Sequence, residues 1–181
     1  MTANTETITG YTTGTWTIDP VHSSAAFAVR HLGVSKVRGH FTGIAGTITT
    51  GQHILDSRVE VTIDANSIDT GNEQRDEHVR GADFLDVANH PQLTFRSTGI
   101  RADGDDYAID GELTIHGVSK PVTLAAELGG FGPGLHGGTV IGASASTEIS
   151  RKDFGITGGP AGAVVGDKIA ITLDIEAGLN S

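Results

Sequence analysis

Apolar and polar residues alternate with a period of two along much of the chain, the pattern of strands that bury one face. From Ser23 the odd positions read Ser23, Ala25, Phe27 and Val29, with Arg30 on the opposite face. Thr15 to Ile18 begins the same strand or a short one before it. Val37, Gly39 and Phe41 alternate, but the apolar series resumes at Ile44, Gly46 and Ile48. A one-residue slip of this kind turns the apolar set outward unless a β-bulge absorbs it, so a bulge is expected near Thr42 and Gly43. The alternation recurs in Val59–Val61–Ile63, Leu93–Phe95, Ile109–Gly111–Leu113–Ile115 and Val122–Leu124–Ala126–Leu128. It closes with Ala143–Ala145–Thr147–Ile149 and Ile169–Ile171–Leu173–Ile175. Turn residues separate most of these runs: Thr49-Thr50-Gly51, Ala102-Asp103-Gly104-Asp105, and the glycine-rich stretch from Gly129 to Gly138. About eight short strands and a single helix make an all-β sandwich or barrel.

The helix is expected from about Asn72 to Arg80, with Thr70 and Glu73 spaced as a capping box and Gly81 to end it. Val79 is its one strongly apolar residue, so it serves as a lid or side connection and not as a core helix. Gly-Val-Ser-Lys occurs after both His31-Leu32 and His116, which reads as two similar tight turns. Residues 1–14 lack the alternation and are expected to be disordered, leaving 15–179 as one domain.

Composition changes this picture in three ways. Gly is 26 of 181 residues, and Gly39, Gly46, Gly111, Ala25, Ala143 and Ala145 fall on inward faces. Small residues there either leave room along the barrel axis for a ligand or let strands bend and pack closely; both readings stand. Lys and Arg number 12 against 22 Asp and Glu, a formal net charge of −10, which repels nucleic acid. Stable membrane insertion is likewise not expected, since no apolar run approaches the roughly 20 residues a spanning helix needs. Cysteine is absent, which removes disulfides, thiolate nucleophiles and Cys-based metal sites. Met1 to Gly14 is polar and lacks the features of a secretory leader, so the expected location is cytoplasmic.

The polar residues offer little catalytic chemistry. Among the eight histidines none shows the close spacing of a motif such as H-E-x-x-H, so no metal site is expected and rim hydrogen bonding is the favoured role. Arg75-Asp76 and Arg151-Lys152-Asp153 juxtapose opposite charges, suited to an internal ion-pair network or to gripping a polar head group. Asp103-Gly104-Asp105-Asp106 is better explained by a hairpin than by calcium. Gly132 to Gly137 matches G-x-G-x-x-G in letters alone, because no helix follows it. No nucleophile elbow or phosphate loop is present, so the protein is not expected to be an enzyme; the alternative is a metal-assisted or lipid-modifying enzyme using rim histidines.

Taken in order, these segments resemble the YceI-like family of lipocalin-like, polyisoprenoid-binding proteins, over roughly Trp16 to Gly178. The resemblance rests on Trp16-Thr17-Ile18-Asp19, His22-Ser23 with Phe27, Val29 and His31, Gly39-x-Phe41 with Gly46, and Ser67-Ile68-x-Thr70. It continues through Arg75-Asp76-x-His78, Asp83-Phe84, His90-Pro91, Phe95-x-Ser97 and Gly111-x-Leu113-Thr114-Ile115-His116-Gly117-Val118. Arg151-Lys152-Asp153-Phe154-Gly155 and Val165-Gly166-Asp167 complete it. It implies an extended eight-stranded antiparallel lipocalin-like β-barrel with one short helix as lid and a long interior pocket. The implied ligand is a long-chain amphiphile, an isoprenoid lipid or quinone, transported or stored without chemistry and without a further cofactor. Ala25 and Ala28 stand where larger residues are common, which bears on pocket width. On this reading the apolar channel is lined by Phe27, Val29, Phe41, Ile44, Phe84, Phe95, Leu113, Ile115, Phe154 and Ile171. Arg75, His78 and Arg151 supply the polar rim. A monomer or homodimer is expected.

Overall fold

The computed structural model describes residues 8–181, so the first half of the segment expected to lack order lies outside the described residues. Residues 8–13 are placed: Tyr11 donates its hydroxyl proton to the Gly51 carbonyl at 2.6 Å, and the Thr12 carbonyl accepts from Thr50 Oγ1 at 2.7 Å. They fold because an aromatic side chain and backbone acceptors find partners in the barrel wall, which polar composition alone did not reveal.

All strands pair antiparallel and close into a barrel of eight staves, three of them interrupted. β1 (Gly14–Ile18) and β2 (Ser24–His31) form the first, β3 (Ser35–Phe41) and β4 (Ile44–Thr50) the second, and β5 (Arg58–Asp64) with the short β6 (Ile68–Asp69) the third. β7 (Gln92–Asp103), β8 (Asp106–Ile115), β9 (Val118–Pro133), β10 (Thr139–Ser150) and β11 (Val165–Leu179) supply the rest. The ring closes on β11, which pairs with β2 along its first part (Leu173 opposite Ala25) and with β1 along its last (Ala177 opposite Ile18). Closure satisfies ladder groups that an open sheet would leave as a sticky edge.

The slip in the apolar pattern falls where expected, but a break between β3 and β4 absorbs it and not a β-bulge within one strand. Thr42 and Gly43 leave the ladder, and Gly43 N donates to Ser67 Oγ at 2.9 Å while its carbonyl accepts from Asp64 N at 2.8 Å. Phe41 and Ile44, three apart, are therefore both buried. Two further expectations need correction. The glycine run does not end β9, which continues to Pro133; Ile141 still pairs with Phe131, and the one-residue bulge opposite Gly142 and Ala143 takes up the extra glycine. Helix α1 (Glu73–Arg80) is capped not by Thr70 but by Asn72, whose Oδ1 accepts from Arg75 N at 2.9 Å, because the Thr70 hydroxyl is bonded to Asp76.

The inward glycines resolve in favour of close packing. A Cβ at Gly39 would lie 2.5 Å from the Phe27 ring, and one at Gly111 would lie 2.4 Å from the Phe95 ring. Each glycine is the seat of an aromatic ring lying across it. Empty volume survives elsewhere in the barrel, in a cavity that lies towards one end. The other end is filled by Trp16, which is 0% exposed, donates Nε1–H to Thr50 Oγ1 at 2.9 Å and packs edge-on against Phe131 at 5.5 Å. Tyr11 also meets Phe131 edge-on, at 5.3 Å. No described helix is long and apolar enough to cross a membrane.

Candidate functional site: an apolar cavity with a braced mouth

A cavity of about 310 Å³ lies inside the barrel at the end formed by the β2–β3 turn, α1, the segment leading into β7, the β8–β9 turn and the 151–164 segment. Strand alternation builds its walls. Phe27 and Val29 face it from β2, Phe41 from β3, Phe95 from β7, Leu113 and Ile115 from β8, and Ile171 from β11. Phe84 reaches it from the turn after α1. These are eight of the ten channel residues expected from the sequence. Ile44 is instead buried in the surrounding core, on the far side of the β3–β4 break from Phe41. Phe154, 1% exposed, packs beneath the 151–154 turn outside the cavity wall, and its carbonyl receives His116 Nδ1 at 3.3 Å.

Other lining positions were legible in the alternation and were passed over: Ile63, Leu93, Leu124, Ile149 and Leu173 share the inward faces of their strands. Leu85, Ile156 and Val164 carry no periodic signal, since they come from irregular segments folded back over the mouth.

Arg75, His78 and Arg151, the three expected rim residues, all come to this mouth. Their circumstances differ. Arg75 is exposed and anchored through Nε to Thr70 Oγ1 and through Nη2 to the Thr70 carbonyl, each at 2.8 Å. His78 Nε2 lies 3.1 Å from Asp83 Oδ2, and its ring stands edge-on to Phe84 at 5.2 Å. Arg151 is only 2% exposed, and its N–H groups donate to the carbonyls of Gly166, Ile156, Thr157, Gly162 and Val165 at 2.9–3.0 Å. A guanidinium has five N–H donors, so none is left to grip a head group. Arg151 is the internal tie that holds the 151–165 segment in its folded-back course.

Two carboxylates that composition could not distinguish brace the same mouth. Asp76 is buried and accepts from both the backbone N–H and the hydroxyl of Thr70, which locks α1 to β6. Burial pushes its pKa up, but the two Thr70 hydrogen bonds, aided by Arg80 and Arg75, outweigh this and leave it below the ordinary value. Asp167 accepts from Ser150 Oγ and from Lys152 N, and the Ser150 bond is the main cause of its lowered pKa.

Two clusters combine histidine with carboxylate. In the first, His22 Nδ1 lies 2.7 Å from Asp19 Oδ2 and 3.5 Å from Glu176 Oε2. The Asp19 hydrogen bond raises the pKa of His22 and lowers that of Asp19. The second joins Asp86, His90 and His116 beside the mouth.

Comparison with known proteins agrees with this architecture. The model of the YceI-like domain matches residues 16–177. Protein YceI of Escherichia coli O17:K52:H18 is 45% identical over 136 residues, covering 75% of this chain and 71% of its own length. UPF0312 protein ECA1782 of Pectobacterium atrosepticum is 44% identical over 137 residues, covering 75% and 71%. Among solved structures, the Campylobacter jejuni YCEI protein superimposes with a TM-score of 0.72 at 31% identity, covering 84% of this chain and 90% of that one. A polyisoprenoid binding domain from Saccharophagus degradans, implicated in plant cell wall breakdown, shares the fold alone, with a TM-score of 0.69 at 15% identity over 93% of this chain and 100% of that one. With its barrel, its mouth and its sequence in agreement, the chain belongs to the YceI-like family.

Proposed function

We propose that this protein binds a long-chain amphiphilic lipid, of the polyisoprenoid or isoprenoid-quinone class, and carries or stores it without chemical change. The observation that carries this reading is the one-ended cavity, whose walls are almost wholly Phe, Leu, Ile, Val and Ala while its polar groups stand at the mouth. A volume of about 310 Å³ falls at the lower end of ligand pockets in general, so the inner part of a chain fits and the remainder lies towards the opening. Each buried methylene contributes about 0.8 kcal/mol, so a five-carbon prenyl unit contributes ~4 kcal/mol. Several such units offset the roughly 4–15 kcal/mol lost on association. Apolar burial reads length and girth better than chemistry, so related chains of similar bulk compete. Of the mouth residues, Arg75 and His78 retain exposure and are the head-group contacts in this reading, with Arg151 reserved for structure. The structural likeness to a polyisoprenoid binding domain supports the ligand class.

Organic extraction of freshly purified protein, followed by mass spectrometry, is expected to release a long-chain lipid in near-stoichiometric amount. Ala25, 2% exposed on the cavity wall, provides the control: Ala25→Phe should fold and yield little lipid. Empty wild-type protein that also fails to take up prenyl quinones would refute the proposal.

A further inference from the structure

The cluster of Asp86, His90 and His116 is assembled from parts far apart in sequence. Asp86 and His90 lie in the segment between α1 and β7, and His116 opens the β8–β9 turn. One ligand atom from each falls within 4.8 Å of the other two, all three residues are half-buried, and the two imidazole centroids are 4.9 Å apart. Elsewhere on the molecule histidines next to acids simply pair with them, as His22 does with Asp19 and His78 with Asp83. Among the described residues no hydrogen bond joins the side chains of Asp86, His90 and His116 to one another. Their donor atoms converge without satisfying each other.

Each ligand is held in place by a second interaction. His116 Nδ1 lies 3.3 Å from the Phe154 carbonyl, which can only accept, so this bond engages Nδ1 and not Nε2. Metal-bound histidines characteristically donate their other ring N–H to a carbonyl or carboxylate in this way. The His90 backbone N–H donates to the Asp86 carbonyl at 2.8 Å, so these two ligands share one closed turn. Asn89 Nδ2 donates to both Asp86 carboxylate oxygens, at 3.0 and 3.2 Å. The His90 ring lies over Gly117, where a Cβ would come within 2.7 Å of Cε1; only glycine admits the ring there. Asp86 and His116 both hold left-handed backbone, φ 49° and 56°, a conformation that costs a side-chain-bearing residue and persists only where its surroundings enforce it.

We propose that Asp86, His90 and His116 form a binding site for a divalent transition ion of the zinc class, with water completing its coordination. Two imidazoles and one carboxylate suit zinc, and disfavour magnesium and calcium, which take oxygen ligands. Bonds of about 2.0–2.2 Å to one ion require ligand atoms gathered this closely, all three lying within 4.8 Å of one another. The ion would join the segment carrying Asp86 and His90 to the β8–β9 turn and, through the His116–Phe154 bond, to the 151–154 turn. Leu85 and Ile115, adjacent in sequence to Asp86 and His116, line the cavity, as does Ile156, whose N–H donates to the Arg151 carbonyl of the 151–154 turn, so the ion would brace the mouth. The site does not rest on the identity of the cavity's ligand.

The test is zinc titration of the untagged, metal-free full chain against a chromophoric chelator, read alongside thermal melting. One equivalent should bind and raise the melting temperature. His90→Gln and His116→Asn, the latter chosen because asparagine tolerates left-handed backbone, should each weaken binding by about tenfold or more and abolish the thermal shift. Asp19→Asn combined with His22→Gln should leave both unchanged. Binding that survives the His90 and His116 changes, that disappears with the Asp19 and His22 changes, or that calcium reproduces overturns the proposal. Should the histidine variants fold poorly, NMR on the unaltered chain decides. The His90 and His116 ring resonances must shift with one equivalent of zinc, and shifts confined to other histidines overturn it.

Discussion

The two ends of this barrel are built on different principles. At the closed end, long staves run on through a one-residue bulge in β9, Trp16 fills the interior, and Trp16, Phe131 and Tyr11 meet in successive edge-on contacts. At the mouth, the strands are short or broken, a polar helix and 3-10 turns replace them, and the described non-glycine residues with left-handed backbone are all found there: Leu32, Asp86 and His116. What binds the mouth is side chain to backbone: Arg151 to five carbonyls, Asp76 to Thr70, Asn72 to the helix start. Repetitive ladder and aromatic filling concentrate stability at one end. At the other, individual polar ties hold irregular backbone open around a void that packed side chains would have closed.

This contrast can be broken at several points. Trp16→Ala should have the largest effect, about 3–5 kcal/mol of unfolding free energy by urea titration, because it removes the largest fully buried side chain. Lipid uptake by the fraction that remains folded should persist. Arg151→Met should follow at about 3 kcal/mol, since it strands buried carbonyls, and Arg151→Lys should not rescue it, because an ammonium lacks the five-donor fork. Here the mouth fails first: proteolysis of the 151–165 segment and loss of bound lipid should precede global unfolding. Asp76→Asn should cost about 1 kcal/mol. The folded-state pKa of Asp76 is depressed, so its contribution is complete above the ordinary carboxylate range and fades as pH falls through the lowered value. Wild type and variant should therefore converge in acid-unfolding curves. The smallest effect belongs to Asp110, a half-buried residue on the barrel wall, where hydrogen bonds from Arg101 and Thr123 lower the pKa to about 2. NMR titration should find that value, and Asp110→Asn should change stability only slightly, and only above it.

The same contrast governs what was legible in the sequence. Regular staves announce themselves through alternation, which is why Phe27, Val29, Leu113, Ile115 and Ile171 were placed on the inner wall and an irregularity was foreseen at Thr42 and Gly43, as a bulge where the chain in fact breaks the strand. Glycine obscured β9, because a residue favoured in turns here serves a bulge inside a long strand. The mouth was harder to read, since its residues act through backbone partners that no periodicity encodes. Arg151 looked like a head-group ligand and is a tie for the chain itself; Phe154 looked like a wall and is a foundation. Asp86, His90 and His116 carry no motif at all, being joined only when two remote segments meet.

The sealed end has one last consequence. With Trp16 stopping the bore, whatever the barrel holds goes in and out through a single doorway, and the portion that enters first must depart last. A chain with one greasy end and one water-loving end would therefore travel facing outward. In the carrier role proposed above, donor and acceptor would have to approach the same face, in turn, and each would meet the same part of the passenger.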